Sequence, residues 1–175
     1  MIFVTVGTQL PFPRLMHAVA DIVRRDVLQG EEVVVQTGEE GAGSVDLPDA
    51  VRVTGLMSPS DYNDTFTAAR IILGHAGVGT VLSAERFGKP LVLMPRSHAK
   101  REHRNDHQIA TARQLEGRPG LTVVWKTEQL EPALLSPPDQ PFQLGVSPTL
   151  APLISELRGL IVLPKVNRQN SARPR

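Results

Sequence analysis

The sequence predicts a Rossmann-like α/β domain built on a doubly wound, mostly parallel sheet. Two observations lead to this prediction. Short runs rich in β-branched residues alternate along the chain with segments whose apolar residues recur at helical spacing, and this alternation is typical of βαβ units. The strand-like runs are also apolar almost throughout, as expected for strands that helices cover on both faces of a parallel sheet.

Six strands are predicted from these runs, since short segments rich in Val and Ile favour strands over helices. The first three are 2–7 (IFVTVG), 31–38 (EEVVVQTG) and 50–55 (AVRVTG). The other three are 70–77 (RIILGHAG), which ends in a glycine turn, 89–95 (KPLVLMP) and 121–125 (LTVVW).

Helices are predicted between most of these strands. Apolar residues recur at helical spacing over 15–23, and the segment 58–69 begins with Ser and Pro, which suit a helix start. A third helix is predicted from the glycine turn to Phe87, and a fourth over 105–116.

The C-terminal part is predicted to contain a proline-rich connection, 132–148, followed by one more helix. Six apolar residues form a single helical stripe in that helix: Leu150, Leu153, Ile154, Leu157, Leu160 and Ile161. We expect one domain over residues 1–163 and a basic, disordered tail over 164–175. The stripe is either part of the core or a docking surface for a partner.

Composition excludes several classes of protein. The chain of 175 residues has no cysteine, which argues against a disulfide scaffold, a thiolate zinc site and a cysteine nucleophile. The tail carries four of the 19 basic residues, so the remaining chain has 15 basic and 18 acidic residues, unlike a nucleic-acid binder. No apolar run reaches the roughly 18 residues of a membrane span, and no basic segment precedes the first strand, so no signal peptide is expected.

Small and polar residues follow three of the predicted strands: residues 7–9 (GTQ), 36–38 (QTG) and 74–80 (GHAGVGT). A glycine turn that leads into a helix presents unpaired N–H groups and the positive end of the helix dipole, a combination that binds phosphate. The third segment reads G-x-x-G-x-G, which is neither the dinucleotide fingerprint nor a P-loop. The residues alone therefore leave two interpretations, a phosphate-binding turn and a simple chain reversal, and His75 is either ligand-facing or structural.

The polar segment after the fifth strand, MPRSHAKREHRNDHQ, is rich in hydrogen-bonding groups. His103 and His107 lie four residues apart, a spacing that can serve zinc on one helix face, but no third ligand is evident and no metal site is predicted. Asn105, Asp106 and Gln108 carry donors and acceptors suited to sugar hydroxyls, and Asp106 is alternatively the N-cap of the next helix. These residue types indicate a binding cleft.

Three motifs in order resemble the glycosyltransferase family 28 C-terminal domain: IFVTVGTQLPFPRL, HAGVGTVLSAERFGKPLVLMPR and EHRNDHQIATA. The resemblance covers roughly residues 1–130. It is strongest to the small, split-type members, namely the catalytic subunit of the dolichol-linked N-acetylglucosaminyltransferase and subunits of bacterial exopolysaccharide glycosyltransferases. It implies the C-terminal, donor-binding half of a GT-B enzyme, in which two Rossmann-like domains face each other across a cleft.

The resemblance also implies roles for individual residues. Those matching the diphosphate-binding loops are Gly7, Thr8, His75, Ala76, Gly77, Gly79 and Thr80. Met57 matches the position whose backbone meets the uracil ring, and Asn105, His107 and Gln108 match the segment that holds the donor sugar.

One position departs from the pattern of many relatives, which carry a ribose-binding Glu where this chain has Ser83. The next acid along the chain is Glu85, which a rotation of about 200° along a helix turns away from the position of Ser83. Ser83 retains a single hydroxyl for the ribose, so the ribose assignment is weaker here than the diphosphate one.

The function that the resemblance implies is the donor-binding catalytic subunit of an inverting, UDP-sugar-dependent hexosyltransferase acting on a lipid-linked saccharide in exopolysaccharide or glycolipid synthesis. No cofactor or metal is expected, since the UDP-sugar is the donor substrate. No catalytic base is identified in this chain. A membrane-anchored, acceptor-binding partner subunit is expected to supply the base. That partner would place the protein in the cytoplasm at the inner face of the membrane. The alternatives are a non-catalytic nucleotide-sugar-binding module, a GT-B epimerase, for which 175 residues are too few, and a dehydrogenase, which the first loop (GTQLPF) disfavours.

Overall fold

The computed structural model describes residues 1–43 and 45–145, and six strands lie in this part of the chain. They are β1 (Ile2–Thr5), β2 (Val33–Gln36), β3 (Val51–Thr54), β4 (Ile71–Gly74), β5 (Leu91–Leu93) and β6 (Leu121–Val123). Each is shorter than the predicted run, because residues at one or both ends of the run lie in loops rather than in the sheet.

All six strands are parallel and pair in the order β3-β2-β1-β4-β5-β6. The chain begins in the middle of the sheet, builds outward to β3, and then returns to the other side of β1 as β4. The strand order reverses between β1 and β4, and ligands of open α/β sheets bind at such a point, outside the carboxyl ends of the strands. The prediction of a Rossmann-like, parallel α/β fold is confirmed.

Five helices accompany the sheet in the described chain. They are α1 (Pro13–Arg24), α2 (Pro59–Ala68), α3 (Val78–Arg86), α4 (His107–Leu115) and the short α5 (Leu130–Leu135), which follows a 3₁₀ turn at Thr127–Gln129. The predicted start of α2 is confirmed: the Ser58 hydroxyl accepts a hydrogen bond from the backbone N–H of Asp61 at 3.1 Å, and Pro59 occupies the first turn.

The prediction that residues 132–148 form only a proline-rich connection was wrong at its beginning. Pro132 lies in the first turn of α5, where a backbone N–H would have no intrahelical partner, so a proline there costs the helix no hydrogen bond. The predicted helix over 150–161, the boundary at residue 163 and the tail over 164–175 lie outside the described residues.

Two apolar clusters cover the two faces of the sheet because successive strand side chains point in opposite directions. Ile2 and Val4 of β1 belong to the cluster that includes α1 and α5, while Phe3 belongs to the cluster that includes α2, α3 and α4. Both clusters are fully buried at their centres. This two-sided core explains why the strands read as continuous apolar runs, and it leaves the carboxyl edge of the sheet as the place for polar chemistry.

No helix within residues 1–43 and 45–145 is long and apolar enough to cross a membrane.

Candidate functional site

A cavity of about 610 Å³ lies at the carboxyl edge of the sheet, where the ends of three strands meet. The parallel register places Thr5 at the end of β1 beside Gln36 of β2 on one side and Gly74 of β4 on the other. The chain that follows β1, β3 and β4, the first turns of α2 and α3, and part of the chain after β5 complete the cavity wall. We call this space the donor cavity, after the role predicted for its residues.

A buried hydrogen bond fixes the floor of the donor cavity. The Thr5 hydroxyl donates to Gln36 Oε1 at 2.6 Å, and both side chains are almost fully buried. The backbone N–H of Gly7 donates to the same Thr5 oxygen at 3.3 Å. The first loop is therefore tied to the strand that precedes it, so its backbone is held in place before any ligand arrives.

The N-terminus of α3 opens into the donor cavity. Gly77 occupies the N-cap position and has no side chain with which to cap the helix, and Gly77, Val78, Gly79 and Thr80 all line the cavity. The first N–H groups of a helix have no intrahelical acceptor and carry the positive end of the helix dipole. This end of α3 can therefore donate several hydrogen bonds to an anion.

His75 lies between the two glycine loops that border the cavity. A Cβ built on Gly77 would come within 2.2 Å of His75 Nε2, and one built on Gly7 within 2.9 Å of His75 Cε1. Gly7 also has a φ of +83°, a conformation that residues with a side chain rarely adopt. The two glycines therefore make room for the imidazole as well as for a ligand.

The His75 ring is neutral at physiological pH. Burial, and secondly the positive charge of Arg96, lower the pKa of His75 to about 4. Its Nδ1 is buried and has no hydrogen-bond partner among the described residues. A neutral imidazole can still offer one donor and one acceptor to a ligand.

Arg96 is a site residue that the sequence analysis missed. Its guanidinium is almost fully buried and donates from one terminal nitrogen to the backbone carbonyls of Val6, at 2.9 Å, and Leu10. It also lies 5.1 Å from the centre of the Phe12 ring, and its Nε is buried without a hydrogen-bond partner in the described chain. Burial lowers the pKa of Arg96 to about 10, so the group stays charged at neutral pH. It supplies a fixed positive charge to the wall of the donor cavity.

Among the predicted donor-sugar residues, Gln108 lines the donor cavity, and Asn105 and His107 do not. The buried Gln108 accepts a hydrogen bond from the backbone N–H of Arg96 at 3.1 Å through Oε1. Asn105 Oδ1 contacts His103 Nδ1 at 3.1 Å and accepts from the backbone N–H of His107 at 3.3 Å. The Asn105 amide oxygen is therefore used by the first residue of α4.

Asp106 stands at the N-cap position of α4 but does not act as its cap. Its carboxylate accepts a hydrogen bond from the backbone N–H of His98 at 2.8 Å, so the suggested N-cap role is corrected. His103 precedes the first turn of α4, which begins at His107, and the two imidazoles do not share a helix face. No three metal-ligating side chains come together in the described part of the chain.

The predicted uridine residues also belong to the lining of the donor cavity. Met57 and Ser83 both line it, and the Tyr62 hydroxyl donates to the Ser83 hydroxyl at 3.4 Å. Glu85 is not part of the lining; its carboxylate accepts a hydrogen bond from the backbone N–H of Leu144 at 3.1 Å.

Most of the predicted site residues therefore converge on one cavity. Those that line it are Gly7, Thr8, Met57, His75, Gly77, Gly79, Thr80, Ser83 and Gln108. Ala76 is buried beneath the turn and does not line it. Which ligand atoms these residues bind stays a prediction.

Solved structures with a similar fold include glycosyltransferases. The glycotransferase of kitacinnamycin superposes with a TM-score of 0.56 at 22% identity, over 90% of this chain and 38% of its own. ALG13 gives a TM-score of 0.54 at 19% identity, over 89% of this chain and 94% of its own. MurG of Acinetobacter baumannii gives a TM-score of 0.50 at 20% identity, over 77% of this chain and 41% of its own. The chain thus spans less than half of the first and third proteins, and at these identities the likeness shows the fold alone.

A comparison with curated protein sequences finds no significant match. A family model, by contrast, matches most of this chain: residues 1–139 match the glycosyltransferase family 28 C-terminal domain. The match includes all six strands of the described residues, the glycine turn at α3, Arg96 and the start of α4 with Gln108. On this evidence, the chain belongs to the glycosyltransferase family 28 C-terminal domain family.

Proposed function

We propose that this chain is the donor-binding catalytic subunit of an inverting, UDP-sugar-dependent glycosyltransferase. In this proposal it transfers a hexose to a lipid-linked saccharide in exopolysaccharide or glycolipid synthesis. A membrane-anchored partner subunit binds the acceptor and holds this chain at the cytoplasmic face of the membrane.

The observation that carries the proposal is the uncapped N-terminus of α3 in the wall of the donor cavity. It lies in the same cavity wall as the buried guanidinium of Arg96, which is a second source of positive potential. In this proposal, the nucleoside attached to the diphosphate contacts Met57 and Ser83, which line the same cavity. A cavity of about 610 Å³ is large enough for a nucleotide-sized ligand.

The chemistry supported by this arrangement is a direct displacement at the anomeric carbon. An acceptor oxygen forms a bond to that carbon, the bond from the carbon to the diphosphate oxygen breaks, and UDP leaves with the electron pair. The N–H groups at the start of α3 and the charge of Arg96 stabilise the negative charge that grows on the diphosphate. In this proposal these groups do what a bound metal does in other transferases.

The acceptor's proton must pass to a general base. We expect the partner subunit to provide that base, as the resemblance to split-type enzymes implies. The isolated chain should then bind a UDP-sugar but transfer little. Co-expression with a partner subunit encoded near this chain's gene should restore transfer. Full activity of the isolated chain would contradict this part of the proposal.

A thermal-shift panel tests the donor prediction. The protein is melted with UDP, UDP-glucose, UDP-galactose, UDP-glucuronate and UDP-N-acetylglucosamine, with ADP and CDP as controls of equal charge. A uridine ligand at about 100 times its Kd should stabilise the fold by about 2.7 kcal/mol, which raises the Tm of a domain of this size by roughly 5–10 °C. The absence of a shift with every uridine nucleotide would refute the proposal.

A non-catalytic nucleotide-sugar-binding module remains the second candidate, because Asn105 and His107 lie outside the donor cavity lining. The two candidates differ in whether the residues predicted to hold the hexose of the donor contact that hexose. If the sugar is gripped for transfer, Gln108→Ala should weaken binding of the UDP-sugar more than binding of UDP. Equal losses for both ligands would favour the binding module.

A further inference from the structure

A second groove, larger than the donor cavity, lies next to it. It has a volume of about 1040 Å³ and is lined by Leu10, Pro11, Pro13, Arg14, Glu40 and the segment 98–104. We call it the basic groove. Leu10 and His103 line both the basic groove and the donor cavity, so the two spaces share a wall.

The basic groove carries an excess of positive charge. Lys100, Arg101 and Arg104 are exposed in its lining, and none of them forms an ion pair with a described carboxylate. Of the two acids in the lining, Glu102 is neutralised by Arg14, which leaves Glu40. Three cations therefore face one unpaired carboxylate.

The loop that carries these cations is held in a defined shape. Arg14 donates two hydrogen bonds to the Glu102 carboxylate, at 2.6 and 2.9 Å, and Glu102 in turn accepts from the backbone N–H of Ser97 at 2.9 Å. Within the turn, the backbone N–H of Lys100 donates to the Ser97 carbonyl at 3.2 Å, and that of Arg101 to the His98 carbonyl at 2.8 Å. The backbone of the loop is thus ordered by the fold, which lowers the entropy lost when a ligand binds.

The rest of the lining is apolar apart from His98 and His103. Leu10 and Pro11 come from the chain between β1 and α1, Pro13 is the first residue of α1, and Ala99 comes from the basic loop. A groove that combines cations with apolar surface suits a ligand that has an anionic end and a hydrocarbon part. A nucleotide or a free anion would leave the apolar part of the groove unused.

We propose that the basic groove binds the diphosphate end of a prenyl-linked acceptor, so that this chain itself holds part of the acceptor. This inference rests on the proposed function, and it adds a second phosphate site to the one at α3. The shared wall at Leu10 and His103 would bring a saccharide carried on that diphosphate to the mouth of the donor cavity. The partner subunit would then complete the acceptor site rather than form all of it.

Geranyl diphosphate is a soluble probe for this site, and inorganic pyrophosphate is the matching probe without hydrocarbon. Each is titrated into the full chain, first alone and then with UDP at saturation to occupy the donor cavity. Binding is followed by calorimetry and by the backbone amide signals of a ¹⁵N-labelled sample. We expect geranyl diphosphate to bind in the presence of UDP and to shift the signals of residues 97–104.

A pair of double variants locates the binding. Lys100→Ser with Arg101→Ser removes two charges from the basic groove, and Arg113→Ser with Arg118→Ser removes two exposed charges outside it. The groove variant should bind geranyl diphosphate roughly tenfold more weakly or worse, since each charged hydrogen bond contributes several-fold to affinity. It should keep its affinity for UDP, and the Arg113/Arg118 variant should match the wild type for both ligands.

Several results would overturn the inference. Equal affinity for pyrophosphate and geranyl diphosphate would mean that the groove takes a free diphosphate and not a prenyl-linked one. Loss of geranyl diphosphate binding when UDP is added would place that ligand in the donor cavity. Binding to phosphatidylglycerol vesicles that the groove variant loses, without binding of geranyl diphosphate, would assign the groove to the membrane surface instead.

The two proposals fail separately. If UDP binds and geranyl diphosphate does not, only the acceptor site is lost. If UDP does not bind, the proposed donor is wrong, and the titrations without UDP still decide whether the groove holds the prenyl diphosphate.

Discussion

Gly79 offers the sharpest test of whether the turn before α3 serves a ligand or only reverses the chain. It is the second residue of α3, and a Cβ added there would meet no atom within 4 Å. The fold itself therefore gives no reason for glycine at this position. A phosphate that lies against the helix N-terminus would give one, because a methyl group would hold it away from the backbone N–H groups.

The Gly79→Ala variant should accordingly separate stability from binding. Replacing a helical glycine by alanine stabilises a protein by up to about 1 kcal/mol when the new methyl group has room. For a domain of this size we expect an increase in Tm of roughly 2–4 °C in the absence of ligand. UDP should nevertheless bind roughly tenfold or more weakly, equivalent to about 1.4 kcal/mol.

The comparison for the stability effect is the same substitution two residues earlier. In Gly77→Ala the new Cβ would come within 2.2 Å of the buried His75 ring, so the imidazole must move. We expect this variant to lose about 1–3 kcal/mol of stability, as overpacked sites do. Calorimetric titration with UDP and thermal melts of the three proteins complete the experiment. If Gly79→Ala is more stable and still binds UDP as tightly as the wild type, the turn does not hold the diphosphate, and the reasoning is refuted.

Three further predictions concern neighbours of that turn. The pKa of His75 is about 4 in the folded protein and 6.5 in a free histidine, so between these pH values the unfolded chain binds one more proton than the folded chain. As the pH falls from 6.5 to 4, His75 should therefore lower the free energy of unfolding by up to about 3 kcal/mol. In urea titrations, His75→Asn should flatten this pH dependence. Arg96→Met should lower the free energy of unfolding by about 2–4 kcal/mol in the same assay, since the carbonyls of Val6 and Leu10 lose a charged donor. The loss of the positive charge should also raise the pKa of His75, and an unchanged pKa in an NMR titration would contradict this coupling. Ser83→Glu should tighten UDP binding roughly tenfold through the ribose hydroxyls, and an equal gain with 2′-deoxy-UDP would show that the 2′-hydroxyl is not involved.

The prediction of the fold succeeded because its signals are local. A strand such as Ile2–Thr5 is apolar at every position, and α2 begins at a Ser-Pro pair that caps and starts a helix in the structure as it does in peptides. The exception was α5, where two prolines nearby suggested a connection and Pro132 proved acceptable in a first turn.

The prediction of the site was less complete, because a site depends on which loops meet. Arg96 was overlooked since its carbonyl partners lie about 90 residues earlier in the chain. Asn105 had the right chemistry for a sugar hydroxyl, but its amide oxygen is used by the start of α4. Neither outcome follows from spacing along the sequence.

By itself, the sequence determined the succession of strands and helices along the chain, the parallel α/β class and the glycine turn at α3. Periodicity, capping residues and glycine act over a few neighbouring positions, so these features can be recognised locally. The tertiary structure alone decided that Thr5, Gln36 and Gly74 end side by side, that Arg96 is buried next to His75, and that the basic groove shares a wall with the donor cavity. These outcomes depend on the spatial order of the strands within the sheet and on their register. Both are set by pairings between segments distant in sequence and by the packing of both faces of the sheet.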